Sequence, residues 1–131
     1  KGYGIKAGAV ALSIAHDSHN IIVVGVSDEE MEFAVNSLIA QEGGMVLVRE
    51  GKVLESMPMP IAGLMSDQSG EWVDEKLTAI HAKAYEELGI AGDVEPVMTL
   101  CFMSLAVIPE VKLTDMGLFD VTTFSFIPVE A

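Results

Sequence analysis

Positive charge is scarce in this sequence, which has 7 Lys and Arg residues against 20 Asp and Glu residues and a formal net charge of −13. A surface that follows the phosphates of a nucleic acid needs clustered cations, so this composition excludes nucleic acid as a partner. The same charge disfavours binding to an anionic membrane. Every long apolar run is interrupted by a charge, Gly or Pro before ~18 residues, so we expect no membrane-spanning helix.

Cysteine is also nearly missing, because Cys101 is the only one in 131 residues. A single thiol excludes an internal disulfide and a zinc site made of several cysteines. Together with eight methionines and no recognisable signal peptide, it favours a reducing, cytoplasmic location. The sequence opens on Lys1 instead of Met, and we expect it to be a piece of a longer protein.

Apolar residues, in contrast, are abundant. They make up half of the sequence, and only 21% of the residues are charged, which excludes a disordered chain. A chain of this length buries enough surface for one hydrophobic core and rarely for two. The sequence therefore predicts a single compact domain over residues 1–131.

Apolar alternation and β-branched runs predict strands at residues 7–15, 21–26, 45–49, 53–57 and 119–127. Residues 21–26 are apolar throughout, as expected of a strand that is covered on both faces. Residues 50–52, Glu-Gly-Lys, place a turn between two of these strands and predict a β-hairpin. Residues 97–108 are apolar without periodicity, so a short helix and a buried strand both remain open.

The clearest predicted helix follows Ser27, which begins a capping box in which the Glu30 side chain reaches back to the N-terminus. Its buried stripe comprises Met31, Ala34, Val35, Leu38 and Ile39. We expect this helix to end at Gly43-Gly44.

A second helix is predicted to start near Ser69 and to stop at Gly89. Its core face comprises Val73, Leu77, Ile80, Ala84 and Leu88. Strands that alternate with helices indicate an α/β (α+β) fold, with at least two helices packed on one sheet. Because the hairpin supplies an antiparallel pair, we predict a mixed β-sheet.

One segment concentrates reactive side chains, His16-Asp17-Ser18-His19-Asn20, between two predicted strands. Two imidazoles, a carboxylate and an amide can bind a flat polar ligand or ligate a metal. The alternative is a solvated turn, because Asp, Ser and Asn are common turn formers. A Ser18–His19–Asp17 triad is not expected, since the side chains of neighbouring residues diverge.

The other reactive residues are weaker candidates. His81 falls beside the polar face of the second helix and is interpreted as a surface residue. Cys101 lies in an apolar stretch and is interpreted as a small buried hydrophobic side chain. Gly43-Gly44 follows a helix instead of preceding one, so it does not make a phosphate-binding loop.

Four stretches carry a family resemblance: residues 8–25 around His-Asp-Ser-His-Asn, Gly43-Gly44, residues 54–67 with Pro-Ile-Ala-Gly-Leu-Met-Ser-Asp, and residues 108–115. Together they resemble the C-terminal domain of microbial adenine deaminases, in the amidohydrolase superfamily. The resemblance covers nearly the whole chain. It implies a parent enzyme that hydrolyses adenine to hypoxanthine and ammonia, and no activity for this chain in isolation.

The resemblance also implies partners and a cofactor. In that family a TIM-like barrel, N-terminal to this domain, holds divalent manganese or iron that makes hydroxide available for attack on the purine. The metal ligands of the barrel are absent from this sequence, so no residue is assigned as a metal ligand. The expected partners are the barrel, adenine as substrate of the whole enzyme, and further copies in a homo-oligomer.

The same resemblance suggests that the loop at residues 16–20 helps to close the purine pocket. His16 and His19 are then the expected catalytic residues, as proton carriers or as orienting groups. Asp17 and Asn20 are the expected substrate-binding residues. Two alternatives stay open: a structural and assembly module that packs through the apolar loop at residues 58–65, and a free-standing domain that binds a small ligand.

Overall fold

The computed structural model describes residues 2–129, which form a four-stranded sheet, a three-stranded sheet and three helices. The four-stranded sheet consists of β1 (Ala9–Leu12), β2 (Ile22–Gly25), β3 (Gly44–Arg49) and β4 (Lys52–Pro58), in the order β2-β1-β3-β4. The three-stranded sheet consists of β5 (Val111–Thr114), β6 (Gly117–Asp120) and β7 (Ser125–Ile127), in sequence order. The helices are α1 (Asp28–Ala40), α2 (Gly70–Glu86) and α3 (Pro96–Phe102).

The predicted class, a compact domain that combines helices with β-structure, is confirmed. The predicted mixed sheet is wrong, because every strand pair in residues 2–129 is antiparallel. β2 and β3 do run in the same direction and are joined by α1, as in a parallel crossover. However, β1 lies between them and pairs with both, so the two parallel strands never become neighbours.

Helix α1 begins where the capping signal predicts. The Ser27 Oγ accepts a hydrogen bond from the Glu30 N–H at 3.3 Å, which satisfies one of the free donors of the first turn. The Glu30 side chain, however, does not reach back to the cap: its Oε1 accepts from the Glu50 N–H at 2.6 Å. Leu38 is fully buried, whereas the neighbouring Ile39 is 58% exposed, so Ile39 is wrongly placed in the predicted stripe.

The two faces of the four-stranded sheet are covered by different helices. α1 packs on a layer of small and medium side chains: Ala9, Ala11, Ala34, Leu38, Val46 and Val48. The opposite face meets α2 and α3 in a larger core that includes Val10, Leu12, Leu47, Met57, Ile80, Leu88 and Leu100. The candidate loop at residues 16–20 leaves β1 at the end of this larger core.

Three other predictions need correction or completion. β2 is not covered on both faces, since it lies at the sheet edge and its four residues are all partly exposed. The predicted strand 119–127 is divided between β6 and β7, because the Asp120 carboxylate accepts hydrogen bonds from the Thr122 and Thr123 N–H groups and closes a turn. Residues 97–108 form a short helix, α3, at their start.

The β3–β4 hairpin is confirmed. Its two turn residues, Glu50 and Gly51, both have positive φ, at 52° and 67°, as the twist of a two-residue hairpin turn requires. α2 starts after Ser69, whose Oγ accepts from the Trp72 N–H at 3.3 Å. In the part of the chain that the structure covers, no helix is both long and apolar enough to cross a bilayer.

Glu55 on β4 and Lys76 on α2 form an ion pair, with 2.7 Å between Oε1 and Nζ. Burial raises the pKa of the Glu55 carboxyl, but the hydrogen bonds from Lys76 and the Ser56 N–H, with the charge of Lys76, outweigh burial and lower the pKa overall. The pair therefore stabilises the fold fully above the ordinary Glu pKa of about 4.3. This stabilisation is lost as the pH falls through the lower pKa of the folded state.

We expect Glu55→Gln to lower the free energy of unfolding at pH 7 by about 1 kcal/mol or less, because the pair is partly exposed. The difference from the unsubstituted chain should shrink as the pH falls below about 4. Urea unfolding at several pH values measures both effects. Glu75→Gln, at an exposed position on α2, is the control and should show neither; a pH-independent loss for Glu55→Gln would contradict the assignment.

Candidate functional site

The loop at residues 16–20 is anchored at its start. Before it, the Ser13 Oγ donates to the Gly63 carbonyl at 2.5 Å and accepts from the Gly44 N–H at 2.7 Å. Ala15 is fully buried. These contacts fix the direction in which the chain leaves β1, so the loop begins from a rigid base.

The last turn of α3 holds the first residue of the loop. The His16 N–H donates to the Cys101 carbonyl at 2.8 Å. The His16 imidazole stacks on the Phe102 ring, with 5.0 Å between the ring centroids and 20° between the planes. Because both the backbone and the ring of His16 contact α3, the imidazole has a defined orientation although the residue is exposed.

The loop tip is a tight turn that presents its side chains to solvent. The His19 N–H donates to the Ala15 carbonyl at 2.6 Å, and His19 has a φ of 48°. The Ser18 Oγ donates to the Asn20 Oδ1 at 3.2 Å. Among residues 2–129, the side chains of His16, Asp17 and His19 have no hydrogen-bond partner. Three of the four predicted site residues are therefore free to bind something else.

A cleft of about 450 Å³ opens beside the loop tip. Its lining comes from the loop, from the segment after α3 and from the end of β5, and comprises Ser18, Asn20, Ser104, Ala106, Leu113, Thr114 and Asp115. Asn20 thus lines a recess with both polar and apolar walls, whereas His16, Asp17 and His19 do not line it. The four predicted residues share one loop but do not converge on one point.

A further contact, which the sequence interpretation missed, ties α2 to the start of α3. The His81 Nε2 lies 2.5 Å from the Glu95 Oε1, and the other Glu95 oxygen accepts from the Met98 N–H. His81 is half-buried and is not the simple surface residue that was predicted. Glu95 directly before Pro96 is a helix N-cap signal, and it marks where α3 begins.

Cys101 is a buried free thiol, as predicted. Burial raises the pKa of the Cys101 thiol, and the negative charge of Glu95 raises it further. A thiol with a raised pKa stays protonated near neutral pH and is a poor nucleophile. Cys101 therefore contributes packing and a backbone carbonyl for His16.

The apolar loop at residues 58–65 is less exposed than its composition suggests. Met59 is almost fully buried against the larger core. Ile61 and Met65 pair with each other as an isolated bridge and are both exposed. The exposed residues that this loop offers to another protein are Pro60, Ile61, Ala62 and Met65.

A metal site has no support in residues 2–129, since no three His, Cys, Asp or Glu side chains come together there to hold an ion. His16, Asp17 and His19 follow one another in one short turn, but they do not form such a group.

Comparison with known proteins gives consistent results. Residues 1–125 match the model of the family described as the adenine deaminase C-terminal domain. The chain is 75% identical over 131 residues to adenine deaminase 2 of Desulfotalea psychrophila, covering 100% of this chain and 23% of that protein. It is 54% identical over 127 residues to an adenine deaminase of Halalkalibacterium halodurans, covering 97% of this chain and 22% of the relative.

A third relative, with lower sequence identity, is also named adenine deaminase. The adenine deaminase of Bacillus subtilis is 48% identical over 130 residues, which cover 99% of this chain and 22% of that protein. The chain thus spans less than a quarter of the length of these curated relatives. The resemblance inferred from the sequence is confirmed, and the chain belongs to the adenine deaminase C-terminal domain family.

Proposed function

We propose that this chain is the C-terminal domain of an adenine deaminase that hydrolyses adenine to hypoxanthine and ammonia. The supporting observation is identity of 48–75% across nearly the whole chain to proteins named adenine deaminase. Since those proteins are more than four times as long, we propose that an N-terminal amidohydrolase barrel carries the catalytic centre. The manganese or iron expected of that barrel would be held there.

The proposed role of this domain is to complete the purine pocket with the loop at residues 16–20. The observation that carries this role is a loop whose base is fixed by α3 and whose His16, Asp17 and His19 side chains lack partners in residues 2–129. A rigid base with free polar groups at the tip is what a preorganised binding loop requires.

Each predicted site residue has a chemical task in this proposal. Hydrolytic deamination removes a proton from water and delivers a proton to the departing ammonia, and the ring nitrogens of His16 and His19 can accept, donate or orient such protons. The Asn20 amide can pair with the amino group and ring nitrogen of adenine, and the Asp17 carboxylate can accept from the amino group. Closure of the loop over the base would also exclude water.

We also propose a cytoplasmic location, within purine metabolism. Its support is the single free thiol of Cys101, which is buried. A chain with one reduced cysteine has no need of an oxidising compartment.

The proposal is tested in the full-length enzyme with His16→Ala and His19→Ala. We expect each variant to lower kcat/KM for adenine by about tenfold, because loss of one hydrogen bond of about 1.4 kcal/mol corresponds to that factor. Asn36→Ala, at an exposed position on α1, is the matched control and should leave kcat/KM unchanged. Steady-state deamination of adenine, followed by ultraviolet absorbance, gives the rates.

A second candidate function, an assembly module, is favoured by the exposed Ile61 and Met65 on the 58–65 loop. Under that function, both histidine variants would keep full turnover and unchanged adenine affinity. Met65→Asp would instead lower the sedimentation coefficient of the full-length protein, because a charge would enter the subunit interface. Unchanged kinetics in both histidine variants would therefore remove the pocket-closing role.

A further inference from the structure

The three-stranded sheet carries apolar side chains on both faces. In an antiparallel pair, directly opposed residues point to the same face, so the register places Leu113 with Leu118 and Phe119 with Phe126 on opposite faces. One face, here called the Leu113 face, carries the apolar residues Val111, Leu113, Leu118 and Ile127, together with Asp120 opposite Val111 and Ser125 opposite Asp120. On it, Leu113 is 78% exposed.

The sheet receives little support from the rest of the domain. Its strands have only four, four and three residues, and they contact chiefly one another. A small sheet of this kind needs a packed layer on at least one face for stability. The structure therefore leaves an apolar face that requires a cover.

The two faces of this sheet differ in the side chains they carry. On the second face, Phe119 contacts Phe124 and Phe126 edge to face, with ring centroids 5.2 and 5.3 Å apart. The strand residues on the Leu113 face include no aromatic side chain. Leu113 also lines the cleft that it shares with Ser18 and Asn20. Phe124 and Phe126 still remain 71% and 55% exposed, so neither face is covered, and the Leu113 face is the one that adjoins the candidate loop.

We propose that the Leu113 face docks on the N-terminal catalytic part of the same longer chain, an inference that rests on the proposed function. This domain spans only 22–23% of the length of its relatives. The covalent link to the rest of the longer chain would therefore give the N-terminal part a high effective concentration near this face. Docking there would set the neighbouring 16–20 loop beside the catalytic part. One contact would then both stabilise the small sheet and position the loop.

Charge disfavours a second copy of the domain as the occupant of this face. Two copies would each bring a formal charge of −13, and such like charges repel. The strands β5–β7 themselves contain only one acidic residue, Asp120, and one basic residue, Lys112. The three strands therefore carry almost no net charge within a strongly acidic domain, with Asp120 as the one charged residue on the Leu113 face.

The test measures thiol accessibility in the full-length enzyme carrying either Leu113→Cys or Ile39→Cys. Ile39 is a matched control because it is also an exposed aliphatic residue, at 58%, but lies on α1. We expect Leu113→Cys to react with a maleimide at least about tenfold more slowly than Ile39→Cys in the native enzyme, because a docked face must open first. In denaturant the two rates should be equal. Peptide mass spectrometry identifies the labelled thiol against the unsubstituted background.

Three outcomes decide the inference. Slow labelling of Leu113→Cys that does not change on dilution supports docking on the same chain. Labelling as fast as that of Ile39→Cys, or slow labelling that becomes fast when the enzyme is diluted to monomer, overturns it, since the face is then open or covered by a second copy. Slow labelling in an enzyme that fails to deaminate adenine would support docking and overturn only the proposed function.

Discussion

Replacement of Gly44 by alanine should cost the fold about 3–5 kcal/mol, because it combines a steric clash with an unfavourable backbone conformation. A Cβ at this position would lie 2.0 Å from the Met57 carbonyl oxygen and 2.9 Å from the Met59 nitrogen, and φ is +105°. Both obstacles are backbone atoms, one in β4 and one in the residue that follows β4, and backbone cannot move aside as a flexible side chain can. Since a domain of this size is stable by about 5–15 kcal/mol, the substitution would remove a large share of the stability.

Gly70→Ala is the matched control for this prediction. Gly70 is the first residue of α2, and a Cβ there would meet nothing within 4 Å. We expect it to leave stability unchanged or to raise it by up to about 1 kcal/mol, since alanine favours a helix. Urea unfolding followed by circular dichroism compares both variants with the unsubstituted chain. Equal midpoints for Gly44→Ala and Gly70→Ala would mean that β3 and β4 do not approach as closely as described.

Gly44 also shows what sequence reasoning can and cannot supply. The pair Gly43-Gly44 was correctly interpreted as a break after α1, because glycine commonly follows the last turn of a helix. The reason that alanine fails at Gly44, however, is the Met57 carbonyl on β4. Such a contact depends on the pairing of two strands and has no local signature.

Local signals predicted the starts of the two long helices. Ser27 and Ser69 both cap a helix through their hydroxyl groups, and a cap needs only the few residues that follow it. The mixed sheet was predicted wrongly because strand order is a long-range property. Nothing within β2 or β3 indicates that β1 would lie between them.

The position of the candidate loop was likewise predictable from the local sequence, whereas its long-range contacts were not. Its place between β1 and β2 was predicted from the polar segment 16–20, and the structure has it there. Its anchors were not predicted, because Cys101 and Phe102 lie about 85 residues away in the sequence and meet His16 only in the folded chain. The geometry of a site built from one local turn and one distant helix becomes predictable only once the packing of α3 is known.

Replacement of Leu38 by alanine should lower the free energy of unfolding by about 3 kcal/mol, through lost burial and the cavity left behind. Leu38 is fully buried between α1 and the sheet, in a layer whose other members are alanines and valines. Small side chains hold the helix close to the sheet but cannot fill the space that Leu38 leaves. Urea unfolding of the variant measures the loss.

Ile39→Ala is the matched control, one position further along α1. Ile39 is 58% exposed, so its truncation removes little buried surface, and we expect a loss below about 1 kcal/mol. The two substitutions remove side chains of similar size from the same helix turn, so helix propensity nearly cancels between them. The difference between the variants therefore measures burial in the α1 layer, and equal losses would show that α1 packs on the sheet through a face rotated toward Ile39.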